Sequence, residues 1–188
     1  MFGNAKKIDE LNLQIKKLQE ENIVLKEENK WLNQTQKEHE LMLNLLTYNY
    51  IIIGVERNKN EELVFVCKHQ QSGGTFHLYL IGVGYSVPYP RLLSVDRSFP
   101  DRTIHIQDFL AEKKSVGHGN ILLKYYEAIA KSEGFSKITG NLTADDMEST
   151  PYLVDFYKKN GFQVELYEND RSGGSIKKEL ILKDKGFM

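Results

Sequence analysis

The chain has 188 residues, 40% apolar and 27% charged, enough for one folded domain and a polar appendage. Its formal net charge of −1 argues against a general binder of nucleic acid or membrane surfaces. Cys67 is the single cysteine, so no internal disulfide forms, which fits a reducing cytoplasm. Met1 to Glu10 lacks the continuous apolar run of a signal peptide, and no stretch reaches bilayer-spanning length. A soluble cytoplasmic protein is expected.

Residues 5–46 carry apolar side chains every three and then four positions. Written as heptads, Ile8, Ile15, Asn22, Asn29, Gln36 and Leu43 take position a. Leu11, Leu18, Leu25, Leu32, His39 and Leu46 take position d. No Gly or Pro interrupts Asn4 to Asn49, and Glu, Lys, Gln and Asn fill the other faces. This pattern predicts a coiled coil over residues 1–47, roughly 60 Å long over its apolar repeat at about 1.5 Å per residue. Ile at a with Leu at d favours a two-stranded assembly, and Asn22 and Asn29 can fix its register across a homodimer seam spanning residues 8–46. No basic region precedes Ile8 beyond Lys6 and Lys7, which argues against a DNA-binding zipper.

After Leu46 the period becomes strand-like. Tyr48–Val55 and Leu63–His69 read as a hairpin around Glu56–Asn60. Thr75–Val83 alternates as a third strand. Gly84–Pro100 holds Pro88, Pro90 and Pro100 with Tyr85 and Tyr89, and reads as a functional loop or irregular edge. Thr103–Leu110 is the fourth strand. Ile121–Glu133 is a helix ended by Gly134. Lys137–Leu142 is a short strand, Thr143–Thr150 is polar and acidic, and Pro151–Asn160 is a second helix closed by Gly161. Phe162–Tyr167 and Ser175–Leu182 are the last strands. The order predicts a mixed α/β sheet with flanking helices, behind the N-terminal coiled coil.

The chemistry concentrates at Lys114-Ser115-Val116-Gly117-His118-Gly119-Asn120, between a strand and a helix. Two glycines let the backbone approach a ligand, and the free N–H groups of the helix start favour an anion, phosphate above all. A short Gly-x-Gly turn is also a common tight connection without a ligand. Leu122 occupies the last glycine position of the dinucleotide fingerprint, and no Gly-Lys-Ser/Thr follows for a Walker loop. The scattered His and lone Cys give no metal-ligand spacing.

Ile104 to Phe162 resembles the GCN5-related N-acetyltransferases, the GNAT family. That family has Gln/Arg-x-x-Gly-x-Gly/Ala after its fourth strand, which Lys114 to Gly119 matches with Lys leading. It also has a helix ending in Phe-Tyr-x-Lys-x-Gly-Phe, which Phe156 to Phe162 matches fully. The strand Ile138 to Leu142 lies between them, as the family's fifth strand does. The likeness is close over about a third of the chain and follows residues 48–183 in strand order, so residues 48–188 are expected to form a GNAT-like acyltransferase domain.

The resemblance implies acetyl-CoA as acyl donor and a primary amine as acceptor. It implies that Val116, Gly117, His118, Gly119 and Asn120, with Lys114, hold the pyrophosphate. It implies that the strand end from Asp108 through Phe109 and Leu110 meets the pantetheine where fourth and fifth strands splay. Tyr157 would protonate the leaving thiolate. The base is open: Asp108 and His105 lie on the fourth strand, one on each face by alternation, and Asp145 and Asp146 follow the fifth. Tyr157 also suits half-buried packing, and His118 suits a solvent-facing turn. The family's two helices between its first and second strands are absent here. Their cover comes from the coiled coil or from Tyr85–Pro100, or the site is open. A second function follows from the same residues: a non-catalytic CoA-binding scaffold that acts through its coiled coil.

Overall fold

The computed structural model describes residues 2–48, 50–70, 75–85, 91–98, 101–110, 115–167 and 173–182. Two compact units result, Met1–Leu43 and Asn44–Met188. Helix α1, Phe2–Thr47, makes up the first unit and its last turn enters the second. No helix among the described residues is long and apolar enough to cross a membrane.

Within the first unit the heptad leucines stand open. Leu11, Leu18, Leu25 and Leu32 are each at least half exposed. Polar side chains tie back to their own helix, with Asn22 Nδ2 donating to the Leu18 carbonyl at 3.0 Å and Gln36 Nε2 to Glu40 at 2.9 Å.

The second unit is built on an eight-stranded sheet. Its strands are β1 Ile51–Arg57, β2 Leu63–Gln70, β3 Phe76–Gly82, β4 Arg91–Ser98, β5 Thr103–Leu110, β6 Lys137–Leu142, β7 Gln163–Leu166 and β8 Gly174–Glu179. They lie in the order β1-β2-β3-β4-β5-β6-β8-β7. All pairs are antiparallel except β5 with β6, joined through helix α2, His118–Ser132. Helices α3, Ala144–Ser149, and α4, Leu153–Lys159, connect β6 to β7.

Five strands therefore precede the glycine turn, where the sequence predicts four. Arg91–Ser98 falls among prolines and reads as a loop, yet no proline lies inside it. Its backbone pairs with β3 on one side and β5 on the other. Residues 86–90, 99 and 100 of that predicted loop lie outside the described residues. The acidic segment after β6 is helical because Thr143 and Asp146 form a reciprocal capping box. The following helix starts at Leu153 rather than Pro151.

The core lies between the sheet and α2. Leu122, Leu123, Tyr126 and Ala130 form one face of the helix and are buried against Phe76, Leu78, Leu80, Leu92, Ile104 and Ile138. Each such aliphatic side chain contributes about 1.5–3 kcal/mol of burial. On the other face of β2 and β3, Phe65, Cys67 and Tyr79 are buried, and Tyr50 meets Tyr79 edge-on at 5.6 Å.

Two features of β5 set up the site. First, it pairs with β6 only from Thr103 to Ile106, opposite Lys137 to Gly140. Beyond that point β5 runs on to Leu110 against β4, while β6 runs on against β8, so the two strands part. Secondly, Leu93 pairs with Asp108 and Ser94 with Ile106, leaving Gln107 as an extra, bulged residue. The bulge turns the alternation over. Phe109 joins the core face with Ile106, and Asp108 moves to the same face as His105, where simple alternation places the two on opposite faces.

Candidate functional site

The turn before α2 is a left-handed bend. Ser115 has φ 69° and Gly117, the N-cap, has φ 88° and ψ 2°. A side chain at Gly117 would carry the strain of the left-handed region. Among the described residues no side chain caps this helix end, and the first intrahelical bond is Ile121 N–H to the Gly117 carbonyl at 3.2 Å. The N–H groups of His118, Gly119 and Asn120 thus project from the helix start. Gly119 is required for a different reason: a Cβ there would lie 2.9 Å from Cζ of Phe156.

That contact defines a cleft of about 500 Å³, within the range of small-molecule sites. One wall is Ser115, Gly117, His118, Gly119 and Asn120; the facing wall is drawn from Thr150 to Asn160. Phe109, from the end of β5, joins them and packs on Phe156 with ring centres 5.9 Å apart. Asn160 Nδ2 donates to Asn120 Oδ1 at 3.1 Å, tying the two walls together. Lys59 and Lys159 supply cations and Asp155 a carboxylate. Glycine edges, apolar rings and lysines fit a ligand with an anionic end and an apolar arm.

The connection between β1 and β2 closes over the turn. The Lys59 N–H donates to the Val116 carbonyl at 3.0 Å. Asn58 folds the loop on itself, its Oδ1 accepting from the N–H groups of Asn60 and Glu62 at 2.9 and 3.1 Å. Asn58 Nδ2 donates to Glu62 at 2.6 Å and also lies 3.2 Å from Nε2 of His118. The Tyr85 hydroxyl joins them, 2.8 Å from the same nitrogen and 3.1 Å from Glu62. Burial, then the Glu62 carboxylate, pushes the Tyr85 phenol up to about 12.

This network places His118. It is buried, at 1% exposure, with its imidazole in the Asn58–Glu62–Tyr85 cluster. The solvent-facing alternative for His118 does not hold, because the first turn of α2 lies beneath Tyr85. Tyr85 and the β1–β2 loop thus lie over the turn and the first residue of α2.

The remaining candidates separate. Tyr157 is buried and rings with Phe156, Phe162 and Phe109 at 5.3, 5.4 and 6.4 Å. It does not line the cleft itself, but two residues that do are in contact with it. Burial, helped by the Asp146 and Asp108 carboxylates, holds its phenol well above the ordinary tyrosine range, so it stays protonated. Asp108 is half-buried on β5 beyond the bulge, and His105 Nδ1 lies 3.0 Å from Thr139 Oγ1. Asp145 is exposed in the first turn of α3, and Asp146 serves the capping box there. Leu110 is exposed at the strand end and Val116 half-buried at the turn. Lys114 lies outside the described residues. Lys59 is the residue that motif reading leaves out; Phe156 opens the Phe-Tyr-x-Lys-x-Gly-Phe motif and Tyr85 stands in the proline-bearing loop, and the fold brings all three to one end of the sheet.

The features that carry the GNAT resemblance are thus present in the implied order: the glycine turn, the parting of strands and the Phe156 to Phe162 segment. No family model matches the sequence. The uncharacterized protein YocC of Bacillus subtilis (strain 168) is similar at 29% identity over 126 residues, 67% of this chain and 74% of that one. Among solved structures, the chain overlaps the ribosomal-protein-S18-alanine N-acetyltransferase of Escherichia coli at 11% identity and TM-score 0.47, covering 63% of this chain and 77% of that one. It overlaps the PaiA N-acetyltransferase of Thermoplasma acidophilum, in complex with coenzyme A, at 19% identity and TM-score 0.44, over 56% and 60% of the two chains.

Proposed function

We propose that the protein is a cytoplasmic GNAT-type N-acetyltransferase, transferring an acetyl group from acetyl-CoA to a primary amine and dimerising through the coiled coil of residues 8–46. The observation that supports this best is the cleft between Gly117–Gly119 and Phe156, opening beside the point where β5 and β6 part. The acetyl thioester supplies an activated carbonyl carbon. The protein supplies position and charge.

In this reading the N–H groups of His118, Gly119 and Asn120 meet the pyrophosphate. Phe109 and Leu110, at the end of β5, bring backbone groups to the pantetheine amides. The amine adds to the acetyl carbonyl and loses a proton to a carboxylate, and the C–S bond breaks. Asp108 is the first choice of base because it follows the bulge on the open end of β5; Asp145 is the alternative. Tyr157, held protonated by its burial, gives its proton to the departing sulfur.

A non-catalytic CoA-binding scaffold is the second reading. The burial of Tyr157 away from the cleft surface favours it. One experiment separates the two. Thiol release from acetyl-CoA is followed against a panel of lysine peptides, peptide N-termini, polyamines and small amines, with CoA binding measured alongside. Turnover with any amine supports the enzyme. Binding without turnover supports the scaffold, and neither sinks both.

A further inference from the structure

The geometry assigns Lys59, on the β1–β2 loop, as the side chain that neutralises the diphosphate of bound CoA. This rests on the CoA reading above and adds to it a cation from outside both sequence motifs. Three observations converge. Lys59 lines the cleft together with Gly117 and Gly119. Its backbone N–H is bonded to Val116 at 3.0 Å, so its position is set by the turn it serves. Its stem lies along Gly117, with Cγ 3.2 Å from where a Cβ would stand.

Among the described residues Lys59 makes no ion pair, in contrast to Lys124 with Glu56 at 2.6 Å and Lys178 with Glu127. The loop that carries it is closed by hydrogen bonds. Asn58 fastens both its ends, and the Glu62–Tyr85–His118 cluster fastens Asn58 to the first residue of α2. The backbone that carries this cation is therefore already in place when an anion meets the turn, where N–H groups converge. Lys159 stands on the facing wall, at the end of α4, away from the Gly117 backbone that Lys59 covers.

The test is calorimetric titration of CoA and 3′-dephospho-CoA into the full-length protein and its Lys59→Met, Lys59→Gln and Lys59→Arg variants. Met keeps the apolar stem over Gly117, Gln gives a second neutral variant, and ligand-free melting confirms the fold of each. Both neutral variants are expected to bind both ligands about tenfold or more weakly, with Arg retaining most of the affinity. Unchanged affinity in the neutral variants overturns the assignment while the CoA reading stands. A loss seen with CoA but not with 3′-dephospho-CoA also overturns it, since Lys59 then reads the 3′-phosphate. Failure of the unaltered protein to bind CoA overturns the reading and the assignment together.

Discussion

The Tyr85 hydroxyl lies 2.8 Å from Nε2 of His118, joining the turn after β3 to the first residue of α2. The same hydroxyl lies 3.1 Å from Glu62 and 3.2 Å from Nδ2 of Asn58. One phenol thus links three segments distant in sequence, at the end of the sheet where the cleft opens.

Tyr85→Phe removes that link without changing the ring. Glu62, Asn58 and His118 each lose a neighbour in a poorly solvated place. The expected cost is about 1–3 kcal/mol, read as a fall in the urea midpoint. The pH dependence has a defined sign. The folded phenol titrates near 12, above its unfolded value of 10, so its contribution is complete below pH 10 and is lost as pH rises towards 12. The Phe variant should show a flatter alkaline limb between those values. An unaltered midpoint together with an unaltered limb would reduce the cluster to a surface contact.

Gly119 and Phe156 make the second prediction. Gly119→Ala puts a methyl 2.9 Å from the ring edge of Phe156, closer than carbon atoms pack, and the ring is itself held against Phe109 and Tyr157. Overpacking should cost about 1–3 kcal/mol. In a Phe156→Leu background the same substitution should cost less, because the opposing edge is gone. A double-mutant cycle in urea measures the coupling. Additive effects would mean that the ring moves freely and the glycine is there for the backbone alone.

Which features are legible in the sequence follows from how locally each is determined. The helix ends at Gly134 and Gly161 can be read because each glycine has positive φ just past its helix, at 87° and 80°. The turn at Gly117 is legible for the same reason. Strand β4 is not, because its pairing with β3 and β5 depends on chains brought together from both sides, while the prolines around it advertise a loop. The bulge at Gln107 leaves no local mark, and it alone decides that Asp108 shares a face with His105. Lys59 and Tyr85 belong to the site only through contacts spanning dozens of residues, Lys59 with Val116 and Tyr85 with His118. The sequence marks Tyr85 only as part of a proline-bearing loop and Lys59 only as part of a hairpin turn.

Tyr157→Phe tests the proposed proton donor directly. The ring stays, so its contacts with Phe156, Phe162 and Phe109 survive and CoA affinity should change less than about twofold. Turnover should fall by about 10²- to 10⁴-fold, the usual contribution of a positioned acid. The phenol is held protonated above the ordinary range, so any activity of the unaltered protein should show no loss assignable to Tyr157 below pH 10. Pre-steady-state thiol release, compared between the two proteins, is the measurement. Equal rates would leave Tyr157 as a packing residue and move attention to the scaffold reading.

Cys67 offers a clock for unfolding. It is fully buried on β2, and burial pushes its thiol up to about 12. At pH 8 an ordinary cysteine, with a pKa near 8.5, is partly thiolate and reacts at once with an aromatic disulfide reagent. Here labelling should wait for opening of the β1–β2–β3 region, and its rate should rise with urea in step with loss of the sheet signal. Immediate stoichiometric labelling in native buffer would show that this face of the sheet opens readily on its own.

The last prediction concerns the first unit. Leu18, Leu25 and Leu32 project from α1 at 57%, 54% and 55% exposure, each one heptad from the next. A single helix gains nothing from such a stripe; a second copy would bury it, and each leucine would then contribute about 1.5–3 kcal/mol. Asn22 lies on the same helix, where its side chain turns back to the Leu18 carbonyl. Light scattering should therefore give a dimer for the full chain and a monomer after removal of residues 1–46. The Leu18→Lys, Leu25→Lys pair should dissociate it without touching the fold of residues 44–188. Asn22→Leu should raise the melting temperature of the assembly while broadening its distribution of states, because the polar residue that restricts the seam to two strands is gone. A dimer that persists without residues 1–46 would place the interface on the sheet-bearing unit instead.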